Sequence, residues 1–243
     1  LHPRLPPKWA NGKGRFARAP RDGMLAGRDG NEIMITIHHL GLSQSDRIVW
    51  LMEELDLPYR LEWYDRKDQL APPEYLALHP ASTAPVIDDD GRVLAESAVV
   101  VEYICHRYAG GALTVGPTQP NYAEYLYWMH FNNNVQGLFF AKLALGPAPG
   151  AATQGAGFFI KRREDKYFKY LDQRLAASPY LAGPEFTCAD IMVTFNLTEL
   201  PLFGGRTIDD LPNVKAYVKR IETRPAYQKA MRIAGPAAKA PAR

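Results

Sequence analysis

The chain has 243 residues, 47% of them hydrophobic, and its 29 Lys and Arg against 26 Asp and Glu leave a formal charge of +3, which suits one large or two modest globular domains. The basic residues are interleaved with acidic ones rather than blocked together, so nucleic acid is not the expected partner, and no apolar run approaches the roughly 20 residues that span a bilayer. The two cysteines, Cys105 and Cys188, stand far apart in helical patterns, which argues against a disulfide framework or a zinc site and for a reducing, cytoplasmic setting.

Residues 1–33 hold Arg4, Lys8, Lys13, Arg15, Arg18, Arg21 and Arg28 among Pro, Gly and Ala and read as an irregular extension. Three origins fit: sequence upstream of a start at Met34, a genuine arm, or an Arg-rich, acid-poor organelle-targeting segment. From Met34 the pattern is regular. Met34-Ile35-Thr36-Ile37-His38 reads as a strand broken by Gly41, and Ile48, Leu51, Met52 and Leu55 recur at helical spacing. Pro58 ends that helix, and Tyr59, Leu61 and Trp63 alternate as a second strand, parallel to the first. A brief helix over 72–78 precedes Ala84-Pro85-Val86-Ile87, the turn Asp89-Asp90-Gly91 and Arg92-Val93-Leu94, which form a hairpin. Ser97 to Tyr108 is again helical. The order βαβαββα is that of a thioredoxin-like domain over 34–109.

A Gly- and Pro-rich linker over 110–120 follows, and strand signals then disappear through 121–243. Helices are expected at 122–145, at 158–177 with Phe159, Tyr167, Tyr170 and Leu171 on one side, from Cys188 to about Leu202, and from Leu211 onward with Val214, Tyr217, Val218 and Ile221 inward. The expected fold is α/β plus all-α: a thioredoxin-like domain followed by a helical bundle.

Three segments of the first half could carry chemistry. The loop Gly41-Leu42-Ser43-Gln44-Ser45-Asp46-Arg47 places two hydroxyls where a strand hands over to a helix, able either to cap the helix or to hold an anion such as a thiolate with help from the helix dipole. In Ala84-Pro85-Val86 the proline is either a hairpin-entry residue or a cis bond that turns the main chain of Val86 toward an extended peptide ligand. Glu96-Ser97 opens a helix, either as a cap beside an exposed acid or as a site holding a carboxylate at Ser97 and an amine at Glu96. The six histidines show no metal-ligand spacing, and no phosphate-binding or nucleophile-elbow motif occurs.

Together these segments resemble the amino-terminal half of the soluble glutathione transferases. The resemblance runs from Met34 to about Tyr227 and is carried by Ser43-Gln44-Ser45-Asp46-Arg47 before Val49-Trp50-Leu51-Met52-Glu53-Glu54-Leu55, by Ala84-Pro85-Val86-Ile87, by Leu94-Ala95-Glu96-Ser97, and by the capping box Thr187-Cys188-Ala189-Asp190. Ile37-His38-His39 and Tyr127-Trp128-Met129-His130-Phe131 look most like the fungal and bacterial GTT-type subgroup. The chain departs from many relatives at Thr83, where they carry a lysine that binds the glycine carboxylate. It departs again at Asn132-Asn133-Asn134-Val135, where they have an acidic, serine-containing turn.

The resemblance implies a glutathione transferase with glutathione as co-substrate, no metal, and a small hydrophobic electrophile as second substrate, assembled as a homodimer. Ser43 is implied to contact the thiolate, with Ser45 in reserve and Arg47 steadying loop or thiolate. Thr83, Ala84, Pro85, Val86, Glu96 and Ser97 are implied to bind glutathione. Leu42, Tyr127, Phe131, Asn134 and Leu138 are implied to line the acceptor pocket between the domains. The same architecture serves glutathione-dependent peroxidases, etherases and dehalogenases, and non-catalytic binding modules.

Overall fold

The computed structural model describes residues 35–68, 70–146 and 155–240. The expected extension over 1–33, the strand start at Met34 and most of the loop before the second long helix lie outside them. Strands β1 (Ile35–Leu40), β2 (Tyr59–Tyr64), β3 (Val86–Asp89) and β4 (Arg92–Ala95) form one sheet in the order β2-β1-β3-β4. β1 and β2 run parallel, joined by helix α1 (Asp46–Leu55), and β3 is antiparallel to both β1 and β4. Helix α2 (Pro73–Leu76) is shorter than its sequence pattern suggested, because its turns at Ala77 and Leu78 close without continuing. Helix α3 (Ser97–Tyr108) completes the βαβαββα order.

The second half is helical throughout the described residues: α4 (Tyr122–Leu145), α5 (Gly155–Ala177), α6 (Cys188–Thr198), a 3-10 turn (Leu200–Phe203), α7 (Pro212–Glu222) and α8 (Pro225–Ala234). Helix α6 stops at Thr198 rather than near Leu202, since Pro201 has no N–H to extend the ladder and the chain tightens into the 3-10 turn. Helix α5 begins at Gly155, and its inner row is Glu164, Phe168, Leu171 and Leu175, while Phe159 and Tyr170 stay exposed. Of the expected row, Leu171 is buried and Tyr167 packs partly buried against the core, and the inner face also takes in a charged residue, Glu164, which Lys142 of α4 holds at 2.9 Å. Helix α8, not anticipated, starts at Pro225 as its first helical residue.

The two halves share one apolar core. Trp50 of α1 meets Tyr227 of α8 at 4.8 Å between rings, and Arg224 grips both carboxylate oxygens of Glu54 at 2.7 Å. Thr187 and Asp190 close the capping box at the head of α6, with Asp190 also accepting from Leu181 N–H and the Tyr217 hydroxyl, each at 3.0 Å. The cysteines, remote in sequence, meet across α3 and α6 with Sγ atoms 3.4 Å apart, both thiols free and buried. No helix among the described residues is long and apolar enough to cross a membrane.

Candidate functional site

The register gathers the three sequence motifs at one end of the sheet. β1 finishes at Leu40 and runs straight into the serine loop, while Val86, the first residue of β3, pairs with both His38 and Ala95. Residues 83–85 and 95–97 therefore lie beside the loop that holds Ser43. The Ala84-Pro85 bond is cis. Glu96 sits at φ 74° and Leu42 at φ 53°, a region that residues other than glycine seldom occupy and that clusters at functional sites. Arg66, two residues beyond β2, braces the loop by donating to the carbonyls of Gly41 at 2.8 Å and Leu42 at 3.2 Å.

Neither serine caps α1. Ser45 is the N-cap residue by its main chain, but its hydroxyl makes no capping bond. Instead Ser45 Oγ lies 2.8 Å from Ser43 Oγ and 2.8 Å from His39 Nδ1, and Ser43 donates to the Leu40 carbonyl at 2.6 Å. Ser45 and His39 are fully buried, whereas Ser43 keeps a little exposure, so of the two hydroxyls Ser43 is the one a ligand can reach. Burial pushes the His39 pKa down to about 4, which keeps the ring neutral.

Arg47, which as a helix residue next to an acid could have been a surface cation, is 1% exposed. Its guanidinium donates to Gln44 Oε1, to Ser97 Oγ at 3.2 Å and to Asn132 Oδ1 at 2.6 Å, and lies 4.8 Å from the Phe195 ring centroid. Gln44 bridges the domains through Gln136 at 3.2 Å and accepts from Ser97 at 3.3 Å. Burial pushes the carboxyls of Asp46 and Glu199 up, Glu199 to about 11 with Asp46 as its neighbour, and lowers Arg47 to about 10.

The remaining candidates fall differently. Thr83 and Glu96 are exposed, Ala84 is half-buried, and Pro85 and Val86 are buried. Val86 sits between two strands, where an antiparallel residue points its N–H and C=O at one neighbouring strand. Ala84 lies just before the cis bond and outside the ladder. The acceptor stripe also divides. Tyr127 packs on Tyr170 and Phe131 on Tyr167 of α5; Phe131 is buried, whereas Tyr127 and Asn134 stay exposed and Leu138 is half-buried. Leu42 is 40% exposed beside Ser43.

Glutathione S-transferase amino-terminal and carboxy-terminal domain models match residues 43–107 and 140–229. Glutathione S-transferase 3 of Schizosaccharomyces pombe is 32% identical over 213 residues, covering 79% of this chain and 85% of its own length. The chain belongs to the glutathione S-transferase family of enzymes. A solved glutathione S-transferase from Actinobacillus pleuropneumoniae superposes with a TM-score of 0.74 at 31% identity, over 84% of this chain and 95% of its own. A theta class member from Xanthomonas axonopodis pv. citri, solved with glutathione bound, does so at 0.62 and 26%, over 83% and 98%.

Against the family pattern, sequence reasoning missed His39, Gln44, Asn132 and Gln136 as parts of the site. One signal was available: Asn132 and Gln136 interrupt the apolar row of α4 at the spacing of Trp128, and a polar residue on a buried helix stripe needs a partner from elsewhere. Among the described residues no cluster of His, Cys, Asp or Glu is arranged to hold a metal.

Proposed function

We propose that this chain binds glutathione with its thiolate at the Ser43 hydroxyl and its γ-glutamyl head at Ser97 and Glu96, and delivers the sulfur to a small hydrophobic electrophile held between the domains. The observation that carries this is the convergence of Ser43, the cis Ala84-Pro85 bond and the head of α3 at one end of the sheet, tied together by Gln44 and Arg47. A free cysteine thiol has a pKa of about 8.5. A hydroxyl donating to the sulfur is a charge-assisted bond of about 1.5–3 kcal/mol, and each pKa unit corresponds to about 1.4 kcal/mol, so this single contact brings the thiol near neutrality.

The α-carboxylate of the γ-glutamyl head suits the open N–H groups and positive dipole end of α3, with the Ser97 hydroxyl alongside. The exposed Glu96 carboxylate suits the amine. The peptide groups of Ala84 serve as the clamp on the cysteinyl main chain, in place of Val86. For the electrophile, Leu42 and Phe140 offer exposed apolar surface; Phe140 lies one helical turn beyond Gln136, whose amide reaches the serine loop. The protein itself forms no covalent bond in this scheme, and rate enhancement comes from thiolate stabilisation and proximity. The homodimer implied by the family belongs to the same reading and is checked by sedimentation.

Calorimetric titration with glutathione tests the site, with ultraviolet detection of the bound thiolate across pH. Millimolar or tighter binding is expected, about ten- to a hundredfold weaker in Ser97→Ala, with a bound thiol titrating below 8 in wild type and about one to two units higher in Ser43→Ala. Absence of binding to the wild type would sink the reading.

A further inference from the structure

Resting on Ser43 as the neighbour of the thiolate, we propose that His39 is a positioning residue whose Nδ1–H, acting through Ser45, fixes the direction in which the Ser43 hydroxyl donates. Each hydrogen in this sealed space has few places to go. Ser45 Oγ has four polar neighbours: Leu40 N–H at 3.2 Å, Leu40 C=O at 3.3 Å, and Ser43 Oγ and His39 Nδ1 at 2.8 Å each. A hydroxyl gives one hydrogen and accepts two. Leu40 N–H can only donate, and it fills one accepting position.

His39, buried against the Trp63 ring at 4.5 Å, is neutral, so one of its ring nitrogens carries the hydrogen. Nε2 is buried without a polar partner among the described residues. A hydrogen there would be an orphaned buried donor, a rarer fault in folded proteins than an unused lone pair. The hydrogen therefore belongs on Nδ1, from which it donates to Ser45 and fills the second accepting position. Ser45 must then send its own hydrogen onward, and Ser43 Oγ is the nearer recipient. Ser43 Oγ also accepts from Ser45 N–H at 3.3 Å, so it too is saturated as an acceptor.

What Ser43 has left is a single hydrogen, directed at the Leu40 carbonyl at 2.6 Å in this structure. A thiolate arriving at the loop competes for that hydrogen with a full negative charge, against a neutral carbonyl. The bonds then run His39 to Ser45 to Ser43 to sulfur, donor to acceptor at every link, an alignment in which each bond polarises the next. The opposite tautomer would draw the Ser45 hydrogen toward the ring and leave the chain without this direction.

Long-range proton–nitrogen NMR of nitrogen-15 histidine-labelled wild type, with the His39 signals identified by their loss in His39→Asn, reads the tautomer directly. The Nδ1–H form is expected, and the Nε2–H form overturns the proposal. A second measurement titrates the thiol of bound glutathione in wild type, His39→Leu and His39→Asn. The leucine variant is expected to raise the thiol pKa by about 0.5–1 unit with glutathione affinity nearly unchanged, and asparagine, whose amide N–H can stand where Nδ1–H stood, to restore most of it. A depressed thiol pKa in wild type that His39→Leu leaves unmoved overturns the role of His39 alone. A wild-type thiol that is not depressed instead removes the thiolate reading on which it rests.

Discussion

Replacing His39 with leucine should change not only the stability of the fold but its dependence on pH. The buried ring titrates near 4 in the folded chain against an ordinary value of 6.5. Between these values the unfolded chain binds the proton that the native chain refuses. The contribution of a neutral buried His39 is therefore complete above about pH 6.5 and is lost progressively as pH falls toward 4. At about 1.36 kcal/mol per pH unit, the whole interval amounts to about 3.4 kcal/mol, of which about 2 kcal/mol is gone by pH 5. His39→Leu has no proton to exclude. Urea unfolding of both proteins at one concentration, near pH 7.5 and near pH 5, isolates this effect. The variant is expected to be the less stable at pH 7.5, where it lacks the bond to Ser45, and to recover about 2 kcal/mol relative to wild type at pH 5. An unchanged difference at the two pH values would mean that the ring titrates normally in the fold and that its burial excludes no proton.

Asp190 works in the opposite sense. Burial raises its carboxyl to about 6 from 3.8, so its contribution is complete below about pH 3.8 and is lost as pH rises through 6; Asp190→Asn, which keeps one acceptor oxygen and leaves a donor among Thr187 N–H, Leu181 N–H and Tyr217 unpaired, should lower stability at neutral pH by about 1–3 kcal/mol in the same assay. Arg47→Met removes a buried cation from Gln44, Ser97, Asn132 and the neighbouring carboxyls, and a loss of about 3–5 kcal/mol is expected from denaturant titration, together with weaker glutathione binding through the released Ser97. The thiols of Cys105 and Cys188 are sealed, and burial holds the Cys188 pKa well above the usual range; an aromatic disulfide reagent should find neither thiol in the native chain and both after unfolding.

The regular elements were legible because their periodicity is local. Alternation in Tyr59, Leu61 and Trp63, and the inward row Val214, Tyr217, Val218 and Ile221, depend on neighbours a few residues away, and the structure returns them as β2 and α7. The three motifs of the candidate site were legible as motifs for the same reason, each being a short string with its own backbone chemistry. Their side-chain partners were not. Arg47 meets Asn132 across 85 positions and Gln44 meets Gln136 across 92, and no window of sequence joins them. The stripe on α4 shows a related difficulty. Tyr127, Phe131, Asn134 and Leu138 do share a helical face, but which neighbour that face meets is decided by the packing of Tyr167 and Tyr170 on α5. Cys105 and Cys188 show the same limit, since contact between α3 and α6 is a property of the assembled core.

The polar seam between the two halves raises a question of cost, because an isolated buried charge is among the most unfavourable features a fold can carry. Arg47, Asp46 and Glu199 are all buried, and burial raises both carboxyls, Glu199 to about 11. Two neighbouring buried carboxyls resist ionising together, so the pair holds on to a proton, and any negative charge it carries lies beside the guanidinium. A buried cation is better tolerated with such a partner than alone. An apolar seam would satisfy the core at least as well, but it could not hold Gln44, Ser97 and Asn132 in one orientation. Arg47 does this with two nitrogens of its rigid fork. It links the serine loop, the head of α3 and the middle of α4, so the position of Ser43 relative to the second domain is set by Arg47.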